Sequence, residues 1–595
     1  MSLLNLRHFL NELRNAKEIV DVYEEVDPNL EIAEIHRRVA AADGPALFFH
    51  NVKNSSFPVV TNLFGSKRRI DSAFQNRPDK LIASLVELLT QTFPPKPTDL
   101  WKKRHTLKGL FSLGTKRQRQ APVKEYKMPS PDLEKLPLLK TWPLDGGHFI
   151  TLPLVYTEPP GGGAPNLGMY RIQRYSKNTT GLHFQIQKGG GFHFHQAEME
   201  NKPLPVNIFI GGAPALILSA ITPLPENVSE LLICGLMQGK KLSVSPCEES
   251  PYPLIAECEF ALVGQAPPHV RRPEGPFGDH YGYYSWTHDF PLFECGAIYH
   301  RKDAIYPATV VGKPRQEDYY IGDYLQEMLS PLFPVVMPGV KALWSYGETG
   351  FHSLSAAIVR ERYYRESMAS AFRILGEGQL SLTKFLLLTD QPVNLRNFKE
   401  LLTTVLERFH PETDLFIFSN LSLDTLDYTG PALNKGSRGV MLGIGEKVRD
   451  LPVVFQGTLP QGIKKAAAFS PGCLILEAPK ETQEYSVLAS HPDFTTWPLL
   501  ILVDDLAKTL KSTTSFLWTV FTRFEPAADI YAASCNIVRN QVSYTGSILI
   551  DARMKPSYPP EVSCDPQTAS IVSQKWRRYF PEKIEMGDSD TAHAV

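Results

Sequence analysis

The chain has 595 residues, 43% of them hydrophobic and 21% charged, which is the composition of a folded globular protein. This length exceeds what one hydrophobic core can serve and predicts roughly three or four domains. The net charge of −1 excludes a strong overall field that would steer the protein toward nucleic acid.

Cysteine usage and hydropathy indicate a soluble, cytoplasmic protein. The seven cysteines are scattered without a C-x-x-C pair, which favours free thiols in a reducing compartment over a cysteine-ligated zinc site. Residues 1–15 have the pattern of an amphipathic helix and lack the features of a signal peptide. The apolar stretch 206–221 is interrupted by Asn207 and Pro214, so we expect two buried strands, or a strand and a helix around a turn, rather than a membrane span.

Residues 1–95 predict a small α/β domain. Helices are expected near 4–15, 29–43 and 79–93, and strands within 45–52 and 57–65. The following segment, 96–125, is rich in proline and basic residues and predicts a solvated linker. The alternative is a basic, aromatic-bearing patch that contacts a membrane surface or an anionic ligand.

Residues 126–318 contain many short apolar runs separated by glycine and proline, which is typical of a β-barrel or sandwich. A helix is expected at 225–239, where Pro225 and Glu226 would open it and Gly239 would close it.

The C-terminal part predicts a duplicated α/β unit, with copies at 319–450 and 451–581. The pattern of 385–419, with a buried strand and an amphipathic helix, recurs within 499–534 at a constant offset of 115 residues, which aligns Asp414 with Asp529. The alternative is convergent α/β patterning. The polar tail, 582–595, is expected to be frayed.

A glycine-rich stretch at 161–175 offers polar groups beside a sharp turn. Asn166 carries an amide, and Arg171 carries a fork that suits a carboxylate or phosphate. A second glycine-rich stretch, 181–198, contains His183, His193 and His195. On a strand, the last two would share one face as a metal pair; the alternative is a loop followed by histidines at the start of a helix or strand.

The stretch PEGPFGDHYGYYS, 273–285, holds two carboxylates among glycines and aromatic residues. Its glycine and proline content excludes a helix, so Glu274 and Asp279 do not share a helical face. Two neighbouring acids can separate their pKa values and leave one protonated near neutrality as a proton donor. The alternative is an acidic surface turn.

Three of these motifs resemble the UbiD family of prenylated-FMN-dependent decarboxylases. NLGMYR (166–171) is similar to the family's Asn-x-x-x-x-Arg motif, PLPENVSE (223–230) to its Pro-x-Pro…Ser-Glu segment, and 273–285 to its signature loop. The resemblance covers about residues 5–450 and resumes near 497–556. The extra length resembles the branch assigned to menaquinone biosynthesis by the futalosine route.

The resemblance implies an ion site. Asn166 and Glu230 would hold Mn²⁺ or Mg²⁺, which would grip the cofactor phosphate, and K⁺ is a further candidate ion. Hard oxygen ligands suit Mn²⁺ and Mg²⁺. Where the family often has a metal-binding histidine, this chain has Gln187, and His193 or His195 is the alternative third ligand.

The resemblance also implies the cofactor and catalytic residues. Prenylated FMN would be lined by Met169, Tyr170, Arg171, His183, Phe184, Gln185, Lys188 and Gly189. Arg171, Glu274 and Asp279 would form the catalytic network, with Asp279 as the proton donor.

The expected fold is therefore α+β: an N-terminal α/β unit, a split β-barrel of the flavin-reductase type, and a C-terminal α/β dimerisation domain. The expected reaction is decarboxylation of a 1,4-dihydroxy-6-naphthoate-type acid, free or prenylated. The alternatives are a 4-hydroxy-3-polyprenylbenzoate decarboxylase, a plain flavin-binding reductase and a non-enzymatic assembly protein. Expected partners are a flavin prenyltransferase as cofactor source and further copies of the chain, with peripheral membrane contact as an additional expectation and no nucleic acid.

Overall fold

Helices and short strands follow one another along the described residues and form the predicted mixed α+β fold. The structure is a computed structural model and describes residues 2–91, 109–185, 188–224, 228–479 and 484–588. The described residues divide into two units, one within 2–328 with 561–588 and the other within 329–560. Among the described residues, none of the helices has the length and apolar character needed to cross a lipid bilayer.

The N-terminal part of the first unit is a four-stranded sheet with flanking helices. The strands follow the order Ile19–Val22, Ala46–Phe49, Val59–Thr61 and Tyr306–Pro307. The helices are Leu6–Asn15, Glu31–Ala41, Lys67–Phe74 and Arg77–Gln91. The first helix begins where Asn5 Oδ1 accepts a hydrogen bond from His8 N at 2.9 Å, and its apolar residues, spaced three or four apart, are buried.

The last helix of the chain, Pro566–Tyr579, belongs to the same unit. Lys575 Nζ lies 3.0 Å from Glu31 Oε1 on the second helix. The expectation of a frayed tail is wrong for residues 582–588, because backbone groups there have partners. Trp576 Nε1 donates to Ile584 O at 3.0 Å, and Gly587 N donates to Arg38 O at 3.1 Å.

The central part of the first unit is an antiparallel sheet. Its path of strands runs through Thr179–Gly181, His288–His300, Phe260–Ala266, Leu204–Ile210, Pro153–Thr157 and Asn166–Gly168. Tyr126–Lys127 and Arg271–Glu274 also pair with the long His288–His300 strand. Two small sheets complete this part: Leu254–Ile255, Leu242–Ser245 and Thr115–Arg117 form one, and Phe149–Ile150 with Ile172–Gln173 the other.

The helices of this part are Gly189–Met199, Pro214–Ile221, Glu230–Gln238 and Glu317–Leu329. The apolar stretch 206–221 is a strand followed by a helix, as expected. The helix predicted at 225–239 begins at Glu230, because Ser229 Oγ caps it by accepting from Leu231 N. Gly239 ends it in the left-handed conformation, as predicted, whereas 225–227 lie outside the described residues.

The second unit contains two five-stranded sheets with the same topology. The first follows the order Val340–Ser345, Leu354–Val359, Phe385–Thr389, Lys435–Gly443 and Leu415–Ser422, and the second Lys465–Ser470, Cys473–Glu477, Leu499–Val503, Gln541–Asp551 and Ile530–Val538. In both sheets an antiparallel pair, two parallel pairs and a closing antiparallel pair follow each other. The predicted duplication is therefore confirmed.

The helices of the second unit are Phe333–Val336, Glu366–Leu375, Phe398–Leu406, Tyr485–Ala489, Leu506–Thr509, Thr513–Phe521 and Pro526–Asp529. The short 3₁₀ turns of the described chain are Leu110–Ser112, Pro122–Lys124, Leu133–Lys135, Ser330–Leu332, Gly347–Thr349, Gly378–Leu382 and Pro492–Phe494. Residues 96–108 of the predicted linker lie outside the described residues, and the domain bounds predicted above stay predictions.

The aligned aspartates of the repeat make the same contact. Asp414 Oδ2 accepts from His410 N at 2.9 Å, and Asp529 Oδ2 accepts from Glu525 N at 2.7 Å. Each carboxylate thus closes the turn that leads into the outer strand of its sheet.

We expect Asp414→Ala and Asp529→Ala to destabilise the second unit by similar amounts, about 1–2 kcal/mol each, because each removes a buried acceptor from a backbone N–H. Scanning calorimetry measures this as a lower midpoint for one shared unfolding transition. The control is Asp450→Ala, whose side chain is 98% exposed. Loss of stability in only one of the two variants would contradict the equivalence of the copies.

Candidate active site

The loop that follows the strand Arg271–Glu274 is held by a turn at 142–145, which lies far from it in sequence. Asp145 Oδ1 accepts from Gly278 N at 2.8 Å, and Asp145 Oδ2 accepts from Trp142 N at 2.9 Å. A Cβ on Gly278 would lie 2.2 Å from Trp142 Cδ1, so this close approach requires glycine. The loop is therefore a rigid, packed element.

Both acids of the loop are buried, which rules out the alternative of an acidic surface turn. Glu274 is 0% exposed and Asp279 is 7% exposed. Phe277 is also buried, and its ring lies 4.8 Å from the Arg171 guanidinium and 4.5 Å from the ring of Phe149. Aromatic residues thus separate the acids from water.

Arg171 joins the two acids. Its Nε donates to Glu274 Oε1 at 2.9 Å, its Nη2 donates to Ser285 Oγ at 2.9 Å, and its Nη1 donates to Asp279 Oδ2. The planar fork lets one cation serve two carboxylates from fixed directions.

His183 completes the network as a neutral ring. Burial and the Arg171 charge lower the pKa of His183, so the imidazole is uncharged at neutral pH. Its Nδ1 donates to Glu274 Oε2 at 2.7 Å, and its Nε2 accepts from Gln185 Nε2 at 3.3 Å. The predicted cofactor residues His183 and Gln185 therefore belong to the same network as the acids.

The two acids are both ionised in this state, which corrects the expectation that one stays protonated near neutrality. Burial raises the pKa of Glu274, but Arg171 and His183 outweigh it and lower that pKa to about 2. Burial also raises the pKa of Asp279, but the hydrogen bond and charge of His280, together with Arg171, hold it well below its ordinary range. Arg171 and the two histidines, rather than mutual repulsion, decide the charge of this pair.

A second cluster forms around Asn166. Asn166 Nδ2 donates to Tyr170 Oη at 3.4 Å. The amide oxygen, Asn166 Oδ1, faces Gly189, and a Cβ on Gly189 would lie 2.2 Å from this oxygen. Glu230 Oε2 accepts from Leu167 N at 2.9 Å. Burial raises the pKa of Glu230, because this carboxylate lies in a desolvated position.

The remaining predicted cofactor residues surround this cluster. Phe184 packs edge-on against Tyr170, with ring centroids 5.2 Å apart. Met169 lies between Asn166 and Arg171 in the chain and is partly exposed, and Lys188 precedes the helix Gly189–Met199. Gln187, the predicted third metal ligand, lies outside the described residues.

His193 and His195 lie on that helix, so the expectation of a shared strand face is wrong. Residues two apart on a helix point to nearly opposite sides. His193 Nδ1 is 2.9 Å from Thr157 Oγ1, and Thr157 is paired with Asn166 in the sheet, whereas His195 is exposed. Within the described residues, no group of three or more His, Cys, Asp or Glu side chains is arranged to hold a metal ion.

The sequence motifs missed the residues that hold the acid loop. Asp145 and Trp142 have no recognisable local pattern, and contacts distant in sequence bring them to the loop. Ser285 is the last residue of the motif, but nothing in the motif indicated its contact with Arg171. His280 is adjacent to Asp279, and its Nδ1 is hydrogen-bonded to Asp279 Oδ1. His280 is part of the motif at 273–285, so its position next to Asp279 in the sequence could have indicated this contact.

Comparison with known proteins identifies the class to which this fold and site belong. Three segments match the models of the N-terminal domain (10–89), the Rift-related domain (115–314) and the C-terminal domain (319–443) of 3-octaprenyl-4-hydroxybenzoate carboxy-lyase, UbiD. Together they cover more than half of the chain. The chain belongs to the UbiD family, and it is a carboxy-lyase of the UbiD type.

Individual relatives agree with this assignment. A Chlamydia pneumoniae protein, named as one of the subunits of a 4-hydroxybenzoate decarboxylase, is 56% identical over 97% of this chain and 99% of its own length. The closed form of vanillic acid decarboxylase from Sedimentibacter hydroxybenzoicus is 26% identical, with a TM-score of 0.64 over 77% of this chain and 95% of that one. The UbiD-class enzyme HmfF from Pelotomaculum thermopropionicum, in complex with FMN, shares the fold at 23% identity, with a TM-score of 0.62 over 74% of this chain and 94% of that one.

The lowered pKa of Glu274 predicts a pH-dependent stability. A carboxyl group with a pKa of about 2 in the folded protein and an ordinary value of 4.5 stabilises the fold above pH 4.5, and this contribution is lost as the pH falls from 4.5 to about 2. We expect Glu274→Gln to lower the free energy of unfolding by on the order of 3 kcal/mol at pH 7, and the difference from the wild type to shrink below pH 4.5. Urea unfolding at a series of pH values measures both. A difference that does not change with pH would contradict the ion-pair assignment.

Proposed function

We propose that the protein decarboxylates a hydroxylated aromatic acid, using prenylated FMN and a divalent cation bound next to the Arg171 network. The single observation that carries the proposal is the pair of buried acids, Glu274 and Asp279, bound to one guanidinium. A plain flavin-binding reductase has no need for this arrangement.

Arg171 and Glu274 act as the fixed charged part of the site. The fork of Arg171 holds Glu274 and Asp279 in a set geometry, so the enzyme does not reorganise them during the reaction. His183 donates to Glu274 and keeps that carboxylate ionised. Glu274 then serves as the anchor, and Asp279 is the acid that can change its protonation state.

Asp279 delivers the proton that replaces the departing CO₂. In this state the low pKa of Asp279 leaves its carboxylate ionised. Asp279 therefore takes up the proton that it delivers during turnover, when the charges around Arg171 change. His280 is the neighbouring proton carrier, because its Nδ1 is hydrogen-bonded to Asp279 Oδ1. The buried rings of Phe277 and Tyr281 keep bulk water away from this transfer.

The donor set around Asn166 suits a hard divalent cation. Asn166 Oδ1 and the desolvated carboxylate of Glu230 are the oxygen ligands that Mn²⁺ and Mg²⁺ prefer, and a cation here would offset the cost of burying Glu230. His193, which contacts the strand residue opposite Asn166, supports a role as an additional ligand better than the exposed His195 does. Gln187 remains the third ligand proposed from the sequence.

Tyr170, Phe184 and the start of the helix Gly189–Met199 would hold the cofactor, with Met169, Gln185 and Lys188 beside them. When bound, prenylated FMN supplies an electron sink for the charge left on the ring as CO₂ departs. A flavin prenyltransferase would provide this cofactor, and further copies of the chain are the proposed partners.

Two substrate classes are supported by different observations. The length of the chain resembles the menaquinone branch and supports a 1,4-dihydroxy-6-naphthoate-type acid, free or prenylated. The name of the 56% identical relative supports a 4-hydroxybenzoate-type acid. Both rings carry a hydroxyl group and a carboxylate, so the same residues would act on either.

We expect Asp279→Asn to reduce the rate of CO₂ release at least about 100-fold, because the amide cannot deliver the proton. Release of CO₂ from each candidate acid by the cofactor-loaded protein measures this, while the absorbance of the bound cofactor reports that the site is intact. The matched control is Asp289→Asn, which changes an exposed aspartate on the adjacent strand. Normal turnover by Asp279→Asn would disprove the proton-donor role.

We expect Glu230→Gln to lose bound manganese, because the carboxylate is the charged ligand of the proposed site. Elemental analysis of the purified protein measures the metal content per chain. Glu200→Gln, at an exposed carboxylate at the end of the Gly189–Met199 helix, is the control. Unchanged manganese in Glu230→Gln would exclude Glu230 as a ligand.

A further inference from the structure

Asp318 has a buried carboxylate oxygen that the described residues leave without a hydrogen bond. This atom, Oδ1, is inaccessible to water and has no hydrogen-bond partner in the part of the chain that the structure describes. Most buried acceptors in folded proteins receive a hydrogen bond, so this oxygen is available to a donor from outside the described residues, such as a bound ligand.

The backbone around Asp318 is held firmly. The preceding residue, Glu317, is buried at the start of the helix Glu317–Leu329, and its carboxylate accepts from Phe64 N at 2.9 Å and from Thr309 Oγ1 at 2.7 Å. Glu317 is therefore committed to the fold. Asp318 begins the same helix turn, and the described residues offer no comparable set of bonds to its Oδ1.

The segment that leads to Asp318 packs against the acid loop. The indole of Trp142 lies between the two, since a Cβ on Gly278 would be 2.2 Å from Trp142 Cδ1 and a Cβ on Gly312 would be 2.6 Å from Trp142 Cζ2. Trp142 Nε1 also donates to Val311 O at 2.8 Å. One rigid side chain therefore joins the two segments.

The charges of the proton-transfer pair, His280 and Asp279, act on Asp318. Burial raises the pKa of Asp318 to about 6, and the charge of Asp279 adds to this shift. The charge of His280 and backbone hydrogen bonds from Tyr319 and Asp318 to the carboxylate oppose it, and Oδ1 is the oxygen left without a partner among the described residues. The neighbouring Gln316 also has a buried oxygen that no described group donates to, but its Nε2 points back to Lys313 O at 3.5 Å.

We propose that Asp318 is the residue that positions the substrate, by accepting a hydrogen bond from the ring hydroxyl of the aromatic acid. This inference rests on the proposed function and adds the group that recognises the hydroxyl. A phenolic O–H is a good donor to a carboxylate, and a negative charge at Asp318 disfavours the carboxylate of the substrate at the same place. The hydroxylated edge of the ring would thus face Asp318.

The test compares each hydroxylated acid with the unsubstituted acid of the same ring: 4-hydroxybenzoate with benzoate, and 1,4-dihydroxy-6-naphthoate with 2-naphthoate. Dissociation constants are measured by titration calorimetry on the cofactor-loaded wild type, Asp318→Ala, Asp318→Asn and the exposed control Asp289→Ala. We expect Asp318→Ala to weaken binding of the hydroxylated acid that fits roughly 10- to 100-fold, as for a hydrogen bond to a charged group, and to change binding of its unsubstituted partner less than about threefold.

Asp318→Asn keeps a neutral acceptor of the same size, so an intermediate loss is expected, and it serves if the alanine variant does not fold. Equal weakening of both members of a pair, no change for the hydroxylated acid, or failure of the wild type to bind any of the four acids would overturn the inference. Selective binding of a hydroxylated acid without CO₂ release would instead contradict the proposed function and leave the role of Asp318 supported.

Discussion

The structure of the site depends on one guanidinium that is shared by two buried carboxylates. Without Arg171, Glu274 and Asp279 would be desolvated charges, and one or both would take up a proton or move toward water. With it, both stay ionised, because the planar fork contacts them from different nitrogens. A lysine offers a single point charge and would not hold both acids in fixed directions. The neutral ring of His183 adds a hydrogen bond to Glu274 without adding charge.

Distant parts of the first unit support this interaction. The Trp142 ring packs on the acid loop, and the Arg37 guanidinium lies 3.9 Å from the centroid of that ring. The second helix, Glu31–Ala41, therefore stabilises the site through Trp142. The backbone that precedes the last helix contacts the same loop, since Val562 N donates to Gly282 O at 3.0 Å. The N-terminal and C-terminal parts of the chain are therefore both needed to keep the loop rigid.

The extra length of the chain forms a second sheet in the second unit, and this sheet packs against the first. The two sheets of this unit share one apolar core. In this core the ring centroid of Phe398, from the first copy, lies 6.3 Å from that of Phe469 and 5.7 Å from that of Phe521, both from the second copy. Each copy thus buries an apolar face that it could not bury alone. The matched C-terminal family model ends at residue 443, within the first copy.

The amino-acid sequence by itself determined the α+β class, the duplication and the loop that carries the acids. Apolar periodicity and the constant offset of the repeat can be read directly from the sequence, so predicting them requires no knowledge of the fold. Only the tertiary structure decided the charge of Glu274 and Asp279, the helical placement of His193, and the contacts of Trp142 and Asp318. These depend on which groups meet across long stretches of chain, and on how completely water is removed from them, and neither is encoded in a local pattern.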